Sequence, residues 1–127
     1  MAALSFTHAL TLLNESLRSN GTKYLALFIN DPGADGTGTE VSGTGYNRMP
    51  ISFGTPSVVN GKQTTANSSD INFGTAGSAW GAISYWAIYD SASGGEMLWY
   101  GAFNRAKTVE INDSVVVSAG QLTASLS

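Results

Sequence analysis

Few residues of this chain have side chains suited to catalysis, and those that do are scattered. His8 is the only histidine, and a Ser-His-Asp triad would have to pass through it, yet no flanking motif supports one. The chain has no cysteine, which excludes disulfides, thiolate catalysis and cysteine-ligated zinc. We therefore predict that the protein is not an enzyme, and we interpret His8 as a surface or partly packed helix residue.

Three carboxylates, Asp31, Asp35 and Glu40, lie close together in a polar segment. Oxygen-rich loops can hold Ca²⁺, and paired carboxylates can hydrolyse glycosides. The spacing does not match an EF-hand, however, and Asp-Pro-Gly at 31–33 is a common turn signature. We expect turn-forming carboxylates, no cofactor and no metal site, although calcium binding by this segment stays open.

These carboxylates belong to a long Gly/Thr loop at about residues 30–46. It follows an apolar strand at 24–29, contains two Gly-Thr-Gly triplets and closes on Tyr46-Asn47-Arg48. The loop lacks the Gly-Lys-Ser/Thr of a phosphate-binding loop, and no helix start follows it. It is either a solvent-exposed connection or an element that reaches a neighbouring subunit, since loops of this length usually have a function.

The composition also favours a structural protein over an enzyme. Only 12% of the residues are charged, whereas about a quarter is average. The net charge is −3 and the six Lys and Arg are not clustered, so we predict no nucleic-acid partner. No apolar run approaches the ~20 residues of a membrane span, and no signal-peptide pattern is present. We predict no membrane partner, no small-molecule substrate and synthesis in the cytoplasm.

The apolar pattern predicts a single domain, residues 1–127, that begins with one α-helix at about 5–18. Its stripe consists of Phe6, Leu10, Leu13 and Leu17, which recur at spacings of four, three and four. Ser5 is the expected N-cap, and Asn20-Gly21 the expected stop. The stripe should lie on a sheet or on a neighbouring subunit.

Strand signals follow Gly21. We predict strands at 23–30, 48–54, 69–73, 82–90, 96–103, 107–111, 114–118 and 121–126, and a hairpin around Asn60-Gly61. Pro50 should place its strand at a sheet edge. Short strands between turns predict an all-β fold, a jelly-roll-like β-sandwich with a barrel as the alternative.

Aromatic residues are concentrated in the strands at 82–90 and 96–103. Tyr85 and Tyr89 should face one side of the first strand and Trp86 the other. This strand is therefore either buried on both faces or exposes a face that binds a partner or stacks on a sugar.

Several motifs carry a resemblance to a known family. They include Tyr24-Leu-Ala-Leu-Phe28, Asp31-Pro-Gly33, Gly36-Thr-Gly-Thr-Glu-Val-Ser-Gly43, Gly45-Tyr-Asn-Arg48, Trp80-Gly81, Ile88-Tyr-Asp90, Gly94-Gly95, Tyr100-Gly-Ala102, Lys107-Thr-Val109 and Gly120-Gln-Leu122. With these segments, most of the chain resembles a family of small virion proteins of tailed bacteriophages. The family is commonly labelled phage tail fibre protein, and some members resemble capsid decoration (cement) proteins.

The resemblance implies a non-enzymatic structural protein of the virion, assembled in the host cytoplasm. Our first prediction is a decoration protein, a trimer or dimer, that bridges subunits of the major capsid protein. The alternatives are a tail fibre or tail-tip protein and a lectin-like carbohydrate-binding module. The predicted partner-binding residues are Asp31, Glu40, Tyr46 and Arg48 of the long loop and Phe6 and Leu10 of the helix.

Overall fold

The structure, a computed structural model, describes residues 4–19 and 21–126. Helix α1 (Phe6–Leu13) continues into a π-helical turn (Asn14–Arg18). The strands are β1 (Lys23–Phe28), β2 (Met49–Ile51), β3 (Ser57–Val59), β4 (Lys62–Ala66), β5 (Ile71–Thr75), β6 (Gly81–Tyr89), β7 (Met97–Val109), β8 (Ser114–Val117) and β9 (Thr123–Leu126). The predicted all-β sandwich-like fold with one N-terminal helix is confirmed, and the described strands do not close into a barrel.

The helix begins as its sequence predicts. The hydroxyl of Ser5 accepts a hydrogen bond from the backbone N–H of His8 (3.1 Å), which caps the first turn. Leu13 and Leu17 are buried, Leu10 is half-buried and Phe6 is 51% exposed, so only the C-terminal part of the predicted stripe is core. The predicted stop includes Asn20, which lies outside the described residues.

The largest sheet has the strand order β2-β1-β6-β7, and all its pairs are antiparallel. The apolar run of β1 explains its interior place, because Leu25 to Phe28 are all buried. Pro50 lies in β2 at the edge of this sheet, as predicted.

Two smaller sheets complete the fold, one with the order β3-β4-β9 and one formed by β5 and β8. The predicted hairpin joins β3 and β4. Its turn residues Asn60 and Gly61 have φ angles of 51° and 78°, the left-handed conformation that a two-residue turn requires.

Strand β7 differs from the prediction of two strands at 96–103 and 107–111, because it runs unbroken for 13 residues. Its register with β6 shifts: Ala102 pairs with Tyr85, whereas Lys107 pairs with Ile83. Four residues of β7, 103–106, thus lie opposite the single residue Ser84 of β6 and bulge from the sheet edge. The exposed bulge interrupts the apolar alternation, which is why the sequence suggests two strands.

The four-stranded sheet buries side chains on both faces. We call one the helix face; its Leu25, Leu27, Trp86 and Ile88 join the main core with Leu13 and Leu17 and with residues of the smaller sheets. We call the other the loop face; its residues Ala26, Phe28, Ala87 and Tyr89 form a second, smaller cluster. Strand β6 is therefore buried on both faces, one of the two predicted possibilities. None of the described helices is long and apolar enough to cross a membrane.

Candidate partner-binding site

The long loop acts as a substitute strand along the edge of β1. Strand β2 pairs only with the first three residues of β1. Beyond that point the N–H of Val41 donates to the carbonyl of Leu27 (2.9 Å), and the N–H of Ile29 donates to the carbonyl of Thr39 (3.0 Å). The N–H of Leu27 donates to the phenol oxygen of Tyr46 (3.1 Å). The loop thus satisfies backbone groups of β1 that would otherwise lie at an open edge.

A polar cluster closes the loop. Arg48 donates to both carboxylate oxygens of Glu40, from Nε to Oε2 and from Nη2 to Oε1, each at 2.9 Å. The phenol of Tyr46 donates to Oε2 of the same carboxylate (2.6 Å). Nη1 of Arg48 donates to the carbonyls of Ser91 (3.1 Å) and Gly94 (2.7 Å) in the turn between β6 and β7. The Arg48 guanidinium therefore connects the end of the loop to the turn between β6 and β7.

The electrostatics of the cluster fix the protonation of Tyr46 and of Arg48 at neutral pH. Burial, reinforced by the hydrogen bond to Glu40, raises the pKa of the Tyr46 phenol far above its usual value. The hydrogen bond to Glu40 also raises the pKa of Arg48. At neutral pH the phenol therefore stays a donor and the guanidinium stays charged.

The same loop covers the loop face. The guanidinium of Arg48 lies 3.7 Å from the centre of the Tyr89 ring, and this ring stacks on Phe28 with centroids 6.5 Å apart. Gly36 lies beside Met97, which packs on the loop-face cluster. We conclude that the loop builds the cover of the second core.

Gly38 shows how closely the loop packs on itself. A Cβ at this position would lie 2.6 Å from Cα of Pro32 and 2.8 Å from the carbonyl of Asp31. Both neighbours are backbone atoms, which cannot rotate away, and Pro32 is fully buried. Only glycine fits where these two parts of the loop meet.

Tyr46 links the two cores, because its hydroxyl joins the polar cluster while its ring packs in the main core. The ring is parallel to Phe73 with centroids 6.1 Å apart, and it meets Trp80 edge-on at 5.6 Å. Movement of the loop would therefore disturb packing on both sides of β1.

The structure brings together Glu40, Tyr46 and Arg48 of the predicted partner-binding residues. Asp31 lies apart at the exposed tip, where its Oδ1 accepts from the N–H of Gly33 (2.9 Å) and forms the turn expected from Asp-Pro-Gly. Partner binding by these four residues stays a prediction.

Phe6 and Leu10 lie elsewhere, on α1, which packs against β4 and β9. Side-chain Nε2 of Gln63 in β4 donates to the carbonyl of Phe6 (3.2 Å). Val58 of β3 pairs with Gln63 across the strands and is 49% exposed. The predicted residues therefore form two separate candidate contact areas, one on the loop and one on the helix.

His8 of α1 is exposed to solvent. Asp35 is exposed in the loop, where its Oδ1 accepts from the N–H (3.3 Å) and hydroxyl (2.9 Å) of Thr37. In the described part of the chain, no three His, Asp or Glu residues are placed to share a metal ion.

Sequence reasoning missed a cationic cleft beside the bulge of β7. The cleft has a volume of about 80 Å³, and Arg105 and Lys107 line it together with apolar side chains of β6, β7 and β8. The signal available in the sequence was weak: two cations, two residues apart, in a chain with six Lys and Arg. Only the bulge places them over an apolar cleft.

Comparison with known proteins gives one family. The family model described as Podophage GP4 fiber I protein gp80 matches residues 6–125. The match begins at the first residue of α1 and extends into β9. No curated protein matches the chain.

Proposed function

Because the chain belongs to the podophage GP4 fiber I protein gp80 family, a family of phage virion structural proteins, we propose that it is a subunit of a tail fibre. Membership confirms the predicted resemblance to phage tail fibre proteins. The single observation that carries the proposal is the extent of the match, which includes nearly every described element. It favours the tail fibre over the capsid decoration role that we predicted first.

The proposed mechanism is assembly without catalysis. A domain with a core on each face of one sheet is a stiff building block, and its few charges leave few ions to desolvate when surfaces meet. Repeated copies related by symmetry would multiply modest contacts into a stable fibre. The partners are further copies, as the dimer or trimer of the sequence prediction, and other virion proteins.

The helix area supports a role in contacts between proteins. Phe6 and Val58 are about half exposed; the Phe6 carbonyl accepts from the Gln63 side chain and Val58 pairs with Gln63, so two neighbouring elements, α1 and the β3–β4 hairpin, each present an exposed apolar residue. Phe6 and Leu10 are accordingly the residues of α1 that we assign to partner contact.

The location in the virion tests the proposal directly. Gold-labelled antibodies against this protein should bind phage tails in electron micrographs, while antibodies against the major capsid protein label heads. Quantification of virion proteins should give far fewer copies than the major capsid protein. Uniform labelling of the head, with copies in proportion to capsid subunits, would instead support decoration.

Two further measurements address the remaining alternatives. Binding on a glycan array that disappears in the Tyr100→Ala variant would add a lectin-like role, because Tyr100 is a 43% exposed aromatic residue. A hydrolytic activity that disappears in His8→Ala or Asp35→Ala would contradict the proposal of a non-enzymatic protein.

A further inference from the structure

The exposed loop tip carries two carboxylates, Asp31 and Asp35, and the cleft beside β7 carries two cations, Arg105 and Lys107. We propose that copies of this chain associate head to tail, with the loop tip Asp31–Asp35 of one copy seated in the Arg105/Lys107 cleft of the next. The inference rests on the proposed function, since a fibre subunit has to bind further copies. It names the two surfaces that meet.

The cleft offers two cations around an apolar floor. Lys107 pairs with Ile83 across the strands, so both side chains lie on the helix face. Val115 and Val117 of β8 line the cleft as well, and the volume of about 80 Å³ has room for one small apolar group. Among the described residues, neither Arg105 nor Lys107 forms an ion pair. Both cations are therefore available to an anionic partner.

The loop tip has the complementary pattern. Asp31 and Asp35 are exposed, and the exposed Ala34 lies between them in the sequence. The turn hydrogen bonds engage only Oδ1 of each carboxylate, which leaves both Oδ2 atoms to meet external donors. Two anions around a small methyl group match two cations around a small apolar cleft.

The positions of the two surfaces set the type of assembly. Gly36, which follows the tip in the sequence, lies beside Met97 of the loop-face cluster, whereas the cleft is lined by Leu27 and Ile83 of the helix-face core. A tip therefore meets the cleft of another copy. Contact between two different patches is heterologous, which produces a closed ring or an open filament.

Charge complementarity favours a second copy as the occupant. Each copy carries a net charge of −3, so copies repel at long range, and local pairing of opposite charges fixes the orientation in which they dock. Two carboxylates against two cations leave the buried contact neutral. A nucleic acid or an anionic lipid would place more negative charge on a chain that is already acidic.

Charge reversal with rescue tests the interface. We expect the wild-type protein to self-associate in sedimentation velocity, more weakly as salt is raised. The tip variant D31K/D35K and the cleft variant R105E/K107E should each lose affinity by about tenfold or more, since two attractions become repulsions. Mixing the two variants should restore association, because lysine tips meet glutamate clefts and aspartate tips meet the native cations. One chain with all four substitutions should also associate.

The controls separate the interface from charge and folding. E96K/E110K changes the net charge as much as D31K/D35K does, and no hydrogen bond or ion pair of the described residues uses either side chain; it should associate like the wild type. D31N/D35N keeps the turn acceptors and removes the charge, so it should weaken association while circular dichroism stays native.

Three outcomes would overturn the inference: a wild type that stays monomeric, a tip variant that associates normally, or a mixture without rescue. Glycan, lipid or capsid binding to the cleft by a monomeric wild type would equally overturn it. These results are distinct from a failure of the proposed function. If the gold-labelled antibodies bound the head, the proposed location in the tail would be wrong, but self-association of the protein in solution would be unaffected.

Discussion

The two faces of the four-stranded sheet are covered in different ways. On the helix face, Leu13, Leu17 and the smaller sheets bury large apolar side chains. On the loop face, a loop covers four residues and is held by backbone bonds and the carboxylate–guanidinium pair of Glu40 and Arg48. Apolar packing has no required direction, whereas the loop depends on a few bonds of fixed geometry.

This difference separates stability from function. The main core should set the free energy of unfolding of the whole domain, because most of the buried apolar area lies there. The loop cover should set how well the Asp31–Asp35 tip is held for contact with a partner. Substitutions on the helix face should therefore mainly lower the free energy of global unfolding, and substitutions on the loop face should mainly increase local opening of the loop.

The largest effect is expected on the helix face. Leu13→Ala removes a fully buried side chain of α1 and should lower the free energy of unfolding by about 2–5 kcal/mol, through lost transfer energy and a cavity. Urea denaturation followed by circular dichroism measures it. Leu10→Ala, at a half-buried position of the same helix, is the matched control and should cost clearly less. Equal losses would mean that the helix does not cover the core as described.

The helix face is also the part that the sequence predicted well. The apolar spacing of Leu13 and Leu17, the continuous run of β1 and the Asn60-Gly61 turn each correspond to a local rule, and each is found in the structure. Periodicity reports which side chains face a core. It failed at β7, where exposed Arg105 and Ala106 in the bulge imitate a break between two strands.

No comparable sequence pattern predicted how the loop covers the loop face. Glu40 and Arg48 are eight residues apart in a segment without periodicity, and their pairing depends on the path of the loop. The carbonyl partners of Arg48 lie more than 40 residues further along the chain. The glycines indicated an unusual backbone, but nothing in their spacing said whether the loop would fold back or extend.

The second effect concerns the fit of the loop. Gly38→Ala places a Cβ against the backbone of Pro32 and Asp31 and should destabilise the protein by about 1–3 kcal/mol, with faster proteolysis of the loop. Gly54→Ala is the matched control, because its Cβ would meet only the carbonyl of Ala66 at 3.8 Å and should cost little. If both variants resisted protease like the wild type, the tight crossing at Gly38 would be wrong.

The third effect concerns the polar cluster. Glu40→Gln keeps an acceptor for Tyr46 but removes the charge opposite Arg48, whose side chain is only 10% exposed. We expect a loss of about 1–2 kcal/mol, limited because Glu40 is partly exposed to solvent. The measurement is urea denaturation with hydrogen exchange at Val41 and Ile29. Glu96→Gln, at an exposed position, should change neither quantity; protection lost equally in both variants would argue against the pair as the fastener.

The smallest expected effect is a decrease in the free energy of unfolding at alkaline pH. The pKa of Tyr46 is raised in the folded protein, mainly by burial, whereas a tyrosine in the unfolded chain titrates near 10. Below about pH 10 both states hold the proton, so Tyr46 adds no pH dependence. Above it the unfolded chain releases the proton first, and stability should fall by up to about 1.4 kcal/mol per pH unit from this group.

The variant Tyr46→Phe isolates this titration from that of the other tyrosines. It should be less stable at neutral pH, because the N–H of Leu27 and the carboxylate of Glu40 lose a partner. Its stability should nevertheless fall less steeply above about pH 10. Tyr89, whose pKa burial also raises, titrates in both proteins and cancels in the difference. Parallel pH profiles for the variant and the wild type would show that the Tyr46 phenol is not buried between the two cores. Tyr46 would then not connect the packing of the loop face to that of the helix face.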